Sequence, residues 1–356
     1  MSEWFYRGDG MAPQAEVTIR SPLLSDAVIA AQTAPEGYKL GDGPSGASIV
    51  AAVNVALTLR IPLLISGEPG SGKTQLGYAV AHELGKPRPF KFITKSTSIA
   101  RELFYEYDAV RHFRASQASG GAADARAFIS YSALGLAILL GLPLERRRRF
   151  LAASVFDRSL DAEASPESRD LRERLRADAP RQSVVIIDEI DKAPRDFPND
   201  LLDEIDTMTF RIPEFDGLET PSLPPELRPI VFITTNSERQ LPDAFLRRCA
   251  YAHLRYPSGR ELDAILASRL SGMFSAQSAF LVDTRDFFED IRKQEMLDRD
   301  PGVAELIQFL LAAADRGVDP DTGIAPAREI VLDVVSTLSK SEADTRRLKD
   351  HIEKWR

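Results

Sequence analysis

Short runs in which nearly every position is apolar alternate along this chain with longer stretches whose apolar residues recur every three or four positions. Leu63-Leu64-Ile65 and the segments 89–94 (PFKFIT), 183–188 (SVVIID), 230–235 (IVFITT) and 251–256 (YAHLRY) read as buried strands. Near-continuous Val and Ile runs separated by helical stretches predict an α/β fold with a parallel sheet covered on both faces. Upstream, Ile49, Val53, Ala56 and Leu57 share one helical face, which Arg60-Ile61-Pro62 ends. The most apolar run, Ala133 to Leu144, is broken by Gly135, Gly141 and Pro143 and is shorter than the roughly 18 residues a membrane span needs. It predicts a buried helix, and no membrane is expected as a partner. Beyond Pro257 the segments 259–272, 303–316 and 327–339 have helical periodicity and no strand, which predicts a separate helical domain.

Composition narrows the class. The 356 residues, 44% hydrophobic and 28% charged, suit about two globular domains. Forty-five basic against fifty-three acidic residues give a formal charge of −8, so nothing in the overall field favours a nucleic-acid partner. Cys249 is the single cysteine, which excludes any intrachain disulfide and any Cys-rich zinc site, and His82, His112, His253 and His351 show no paired spacing. The opening MSEWFYRGDG lacks the features of a signal or transit peptide, so a reducing, cytoplasmic setting is expected. Residues 1–36 read as a polar tail or strap.

Three segments carry chemistry. Gly67-Glu68-Pro69-Gly70-Ser71-Gly72-Lys73-Thr74 follows a strand and precedes the helical stretch that begins at Gln75. Glycines let successive N–H groups turn inward on phosphate oxygens, Lys73 neutralises the outer phosphates and Thr74 can ligate Mg²⁺. The plainer alternative is a glycine turn beside a surface lysine. The strand 184–187 ends in Asp188-Glu189, an acid pair where open α/β sheets place ligands, with Asp188 suited to Mg²⁺ and Glu189 to deprotonating an attacking water. Strand 230–235 ends in Asn236, whose amide can donate to phosphate and accept from water, or can merely cap the strand.

With Leu241-Pro242-Asp243-Ala244-Phe245-Leu246-Arg247-Arg248 these segments resemble the AAA+ ATPases, and within them the MoxR-like branch, over roughly residues 37–340. The resemblance implies a P-loop αβα domain over 37–257 with strand order 5-1-4-3-2, an α-helical lid over 258–356, ATP with Mg²⁺, and a ring, usually of six subunits, with each nucleotide at a subunit boundary. The loop itself reads phosphates and not the base, which Tyr38 and the lid would hold. Asn236 matches the sensor 1 position and Arg248 the arginine finger; Arg247 stands where the family has aspartate, which leaves the choice between the two arginines open. No arginine falls at the sensor 2 position, where Ala304 stands; Arg328 or Arg299 could substitute. Inserts at 101–131 and 207–226 would face the ring pore, where Phe104, Tyr105 and Tyr107 could grip a protein client or could simply be core. A third insert, 142–182, carries Arg146 to Arg149, readable as a binding run or as a solvated helix face near Asp161, Glu163 and Glu167. The resemblance implies a remodeller of a protein partner, such as one with a von Willebrand factor A domain. A nucleic-acid motor component and a slow nucleotide-gated assembly switch are the alternatives.

Overall fold

A computed structural model describes residues 34–38, 40, 44–119, 123–162, 164–270, 273–275 and 277–356. Most of the expected N-terminal tail, and Glu163, lie outside them. The chain groups into two compact units: a sheet unit, Ser48–Gly67 with Leu76–Leu254, and a helical unit, Met1–Ala47, Glu68–Gln75 and Arg255–Arg356.

In the sheet unit five parallel strands, β1 (Leu63–Gly67), β2 (Phe90–Ile93), β5 (Val184–Asp188), β8 (Ile230–Thr235) and β9 (Ala250–Leu254), run in the order β2-β5-β8-β1-β9. The expected order, 5-1-4-3-2, counts sheet strands alone. Numbering in full chain order differs because two antiparallel hairpins intervene, β3 (Tyr105–Tyr107) with β4 (Ile129–Tyr131) and β6 (Arg211–Ile212) with β7 (Leu218–Glu219). Every residue of β1 and β5 is buried, the signature of a parallel sheet covered on both faces. Register places Ile65 beside Thr234 and Ile187 beside Ile233, so β1, β5 and β8 end together at their carboxyl edge.

The apolar helix Ala133–Gly141 is core, with Leu134, Ala137, Ile138 and Leu139 fully buried. Its backbone comes so near Phe104 that a Cβ on Gly135 would sit 2.0 Å from the Phe104 carbonyl oxygen. Two aromatic residues expected as gripping groups are core as well: Phe104 is 3% and Tyr105 1% exposed, and both pack on Phe210 of the second insert. The Tyr105 hydroxyl donates to Glu214 at 2.7 Å, and Arg101 pairs with the same carboxylate at 2.9 Å. Tyr107 is half-buried against His112. The two inserts thus close on one another, and Phe104 and Tyr105 have no surface with which to grip a client.

In the arginine run Arg146, Arg148 and Arg149 are exposed, as a solvated face would be, but Arg147 is not. Arg147 has no exposed surface and donates to six carbonyls, those of Leu139, Leu140, Leu142, Arg174, Leu175 and Ala177. It joins the carboxyl ends of helices Ala133–Gly141 and Pro166–Arg176, whose last carbonyls lack intrahelical donors and carry partial negative charge. Arg148 instead lies on the Phe156 ring at 4.2 Å.

The helical unit has its own core, centred on Phe280, Phe287, Phe288, Phe309 and Ile352. Its helices are Arg260–Arg269, Ala279–Lys293, Val303–Asp315, Arg328–Val334 and Glu342–Lys354. The second and last were not among the expected segments. Helix 279–293 does bury Phe280, Leu281, Thr284, Phe287, Phe288 and Ile291 at helical spacing, but Asp283, Asp286, Glu289 and Asp290 break up its apolar text. The described part of the N-terminal strap is tied to helix 260–269, with Ser268 and Arg269 donating to the Gly37 and Ala34 carbonyls at 3.0 Å.

Candidate active site

The glycine-rich segment leaves β1 at Gly67 and enters helix Lys73–Glu83. Gly70 and Gly72 take φ of +78° and +90°, a backbone that turns successive N–H groups to one side and that other residues enter only under strain. Lys73 reaches back across the loop, its Nζ donating to the Glu68 carbonyl at 2.7 Å. Ser71 Oγ and Gln75 Oε1 are buried within this segment with no partner among the described residues. A nest of inward N–H groups with a buried lysine and an orphaned hydroxyl fits an oxyanion ligand such as a nucleotide phosphate.

Neighbouring groups of the helical unit complete the loop's surroundings. A Cβ on Gly70 would meet Gly302 Cα at 3.4 Å, and one on Gly72 would meet the Tyr38 ring at 3.2 Å. Burial pushes the Tyr38 hydroxyl well above its ordinary range, so it stays neutral. Arg292, which no sequence motif singles out, holds Glu68 at 2.5 Å, donates to the Pro301 carbonyl at 2.9 Å and stacks 3.8 Å from the Tyr256 ring centre. Arg299 lines a cavity of about 390 Å³ with Glu68, Pro69 and Gly70. Arg328 lies elsewhere, donating to the Trp355 carbonyl at 3.1 Å.

At the carboxyl edge of the sheet unit the acid pair is tightly organised. Asp188, 8% exposed, accepts from the Thr234 hydroxyl at 2.7 Å and pairs with Lys91 at 2.6 Å. A carboxylate oxygen is the ligand type Mg²⁺ takes, although here Lys91 engages one of the two oxygens. Glu189 turns into the left-handed region, φ 57°, which swings its side chain away from the strand direction. Its N–H donates to Thr234 Oγ1 at 2.9 Å, so one hydroxyl fixes both acids. Asn236 Nδ2 donates to one Glu189 oxygen at 3.2 Å, and Lys192 pairs with the other at 2.6 Å. Asp188, Glu189 and Asn236, each expected from a strand end, are thus brought together.

Thr234, Lys192, Lys91 and Asp191 were not expected. Buried Asp191 accepts the N–H groups of Asn236 and Glu238, at 3.1 and 3.0 Å, and holds the turn that follows β8. The acid-rich DEID text carried that signal without saying which acid was structural. The two finger candidates differ. Arg248 is tied to Asp206 at 2.6 Å and to the Ala244 carbonyl at 3.0 Å, whereas Arg247 is exposed and makes no side-chain hydrogen bond or ion pair among the described residues.

No helix among the described residues is long and apolar enough to cross a membrane. No curated protein matches the chain. The model of the family described as ATPase family associated with various cellular activities (AAA) matches residues 63–255.

Proposed function

The chain belongs to the ATPase family associated with various cellular activities, and from that premise we propose that it is a Mg²⁺-dependent, ring-forming ATPase of MoxR-like type that remodels a protein partner, with 258–356 as its lid. The observation that carries the hydrolytic reading is the network in which one Thr234 hydroxyl fixes Asp188 and Glu189 while Asn236 and Lys192 orient the Glu189 carboxylate.

In this reading the N–H groups of Gly67 to Thr74 and the Lys73 ammonium hold the phosphates, with Gln75 at the start of the helix behind them. Thr74 and Asp188 would hold Mg²⁺, which when bound neutralises charge on the phosphate oxygens. Glu189 accepts a proton from the attacking water, and Asn236, already bonded to that carboxylate, aligns the water against the γ-phosphate. Arg248 serves as the finger for a neighbouring copy in a hexameric ring, and its release from Asp206 is the step that would make it available. Arg247 is the alternative finger. Arg328, committed to Trp355, is the weaker candidate for a lid arginine beside Arg299 and Arg292. The client, in this reading, carries a von Willebrand factor A domain.

The test compares Glu189→Gln with Lys73→Ala. Glu189→Gln keeps ATP binding and loses turnover by about a hundredfold or more, the scale of losing a general base; Lys73→Ala loses binding. Equal hydrolysis by wild type and Glu189→Gln would remove the water-activating role. A Glu189→Gln chain that stays monomeric in ATP and Mg²⁺ would refute the unaided ring.

A further inference from the structure

The arginine run leaves two guanidiniums unused by the fold. Arg146 and Arg149 are exposed and open, together with Arg228 from the segment before β8, onto one cavity of about 750 Å³ in the sheet unit. None of the three guanidiniums has a hydrogen bond or ion pair among the described residues, and the Nε of Arg228 is buried without an acceptor. Some other arginines of the same unit are paired, Arg101 with Glu214, Arg126 with Asp124, and Arg172 and Arg176 with Asp161, while others such as Arg247 are not; what sets these three apart is that they line one recess. Two carboxylates line the cavity. Asp206 is already engaged by Arg248, which leaves Glu219 alone against three cations.

Three arginines lining one recess repel each other unless an anion lies between them; their planar forks of donors match carboxylate and phosphate oxygens, and a ligand with several phosphates carries the charge to face three cations. The chain's net charge of −8 gives a long polyanion no general attraction. A compact ion does not depend on one. We propose that this cavity is a second anion site, distinct in residues from the glycine-rich loop, that binds a small ligand carrying two or more phosphate groups. Arg146 and Arg149 clamp it from one side of the cavity, and Arg228, which lines the same cavity, supplies the third guanidinium.

The test is calorimetric titration of the full chain carrying Lys73→Ala, which removes the loop's lysine from the measurement, with inorganic tripolyphosphate as probe. One saturable site is expected. Arg146→Gln with Arg149→Gln weakens it by about tenfold or more for each charge-assisted hydrogen bond removed, and Arg228→Gln weakens it similarly. Arg148→Gln, in the same run but stacked on Phe156 outside the cavity, leaves it unchanged and controls for folding and general charge. The proposal is overturned by an absence of saturable binding, by binding that ignores the Arg146, Arg149 and Arg228 substitutions, or by a single-stranded oligonucleotide competing as well as tripolyphosphate, which would make the surface one for extended nucleic acid. Because the site shares no residue with the loop, its failure says nothing about ATP hydrolysis.

Discussion

Replacing Arg147 by methionine keeps most of the side chain's length and apolar stem but removes every donor. Of the six carbonyls it serves, those of Leu139, Leu140 and Arg174 also accept a backbone N–H, from Leu142, Arg181 and Ala177 respectively. The other three, Leu142, Leu175 and Ala177, depend on the guanidinium among the described residues. A buried acceptor left unsatisfied costs about 1 to 3 kcal/mol, so three give about 3 to 9 kcal/mol before compensation. Burial alone lowers the arginine's pKa, and methionine is spared that desolvation, which returns several kcal/mol. The net expectation is a loss of about 3 to 4 kcal/mol, with Arg147→Lys intermediate because a point charge cannot fork to two helix ends. Native-state hydrogen exchange reads this directly. Amides in 133–141 and 166–176 should exchange about a hundredfold faster or more in Arg147→Met, with a matching fall in the urea midpoint of the sheet unit. Arg148→Met, which gives up only its stacking on the Phe156 ring, should cost less than about 1 kcal/mol. If Arg147→Met lies within about 1 kcal/mol of wild type, the carbonyl cage is not what joins these helices.

Four further outcomes follow from the same geometry. Thr234→Val removes the hydroxyl shared by Asp188 and Glu189; steady-state turnover should fall about tenfold to a hundredfold with ATP binding kept, and unchanged turnover would show that the acids hold their positions unaided. Arg248→Ala should lower turnover without loosening ATP and be rescued in mixed assemblies, whereas an effect confined to Arg247→Ala would transfer the finger to that residue. Gly135→Ala forces a Cβ against the Phe104 carbonyl and should destabilise the sheet unit by about 3 kcal/mol or more in urea melts. Burial first, and Asp206 second, push the Cys249 thiol up to about 12, so its thiolate fraction at pH 8 is about a thousandfold below that of an ordinary cysteine. Labelling of this single thiol should therefore be slow in the folded chain, accelerate as pH rises, and become fast on unfolding. Rapid labelling of native protein at pH 8 would contradict the burial.

What the sequence determined by itself was whatever local pattern encodes. The five sheet strands, the loop between β1 and its helix, and the acids at the end of β5 are legible because burial on both faces demands unbroken apolar runs and because phosphate binding demands glycines at fixed spacing before a lysine. Helix 133–141 was legible for the same reason. Tertiary structure alone decided the roles of residues whose types are ambiguous. Nothing local distinguishes Arg147, sealed among six carbonyls, from Arg146 and Arg149, open to a cavity; the difference arises when helices distant in sequence end at one point. Phe104 and Tyr105 could have lined a pore until Phe210 and Glu214, more than a hundred residues later, closed over them. Thr234 became the pivot of the acid pair only through the pairing of β5 with β8, and Arg292 met Glu68 only through folding of the helical unit. Period and composition record how one segment meets solvent. They do not record which charges or rings a distant segment will bring to it, and that is what the tertiary structure decided about the arrangement of these side chains.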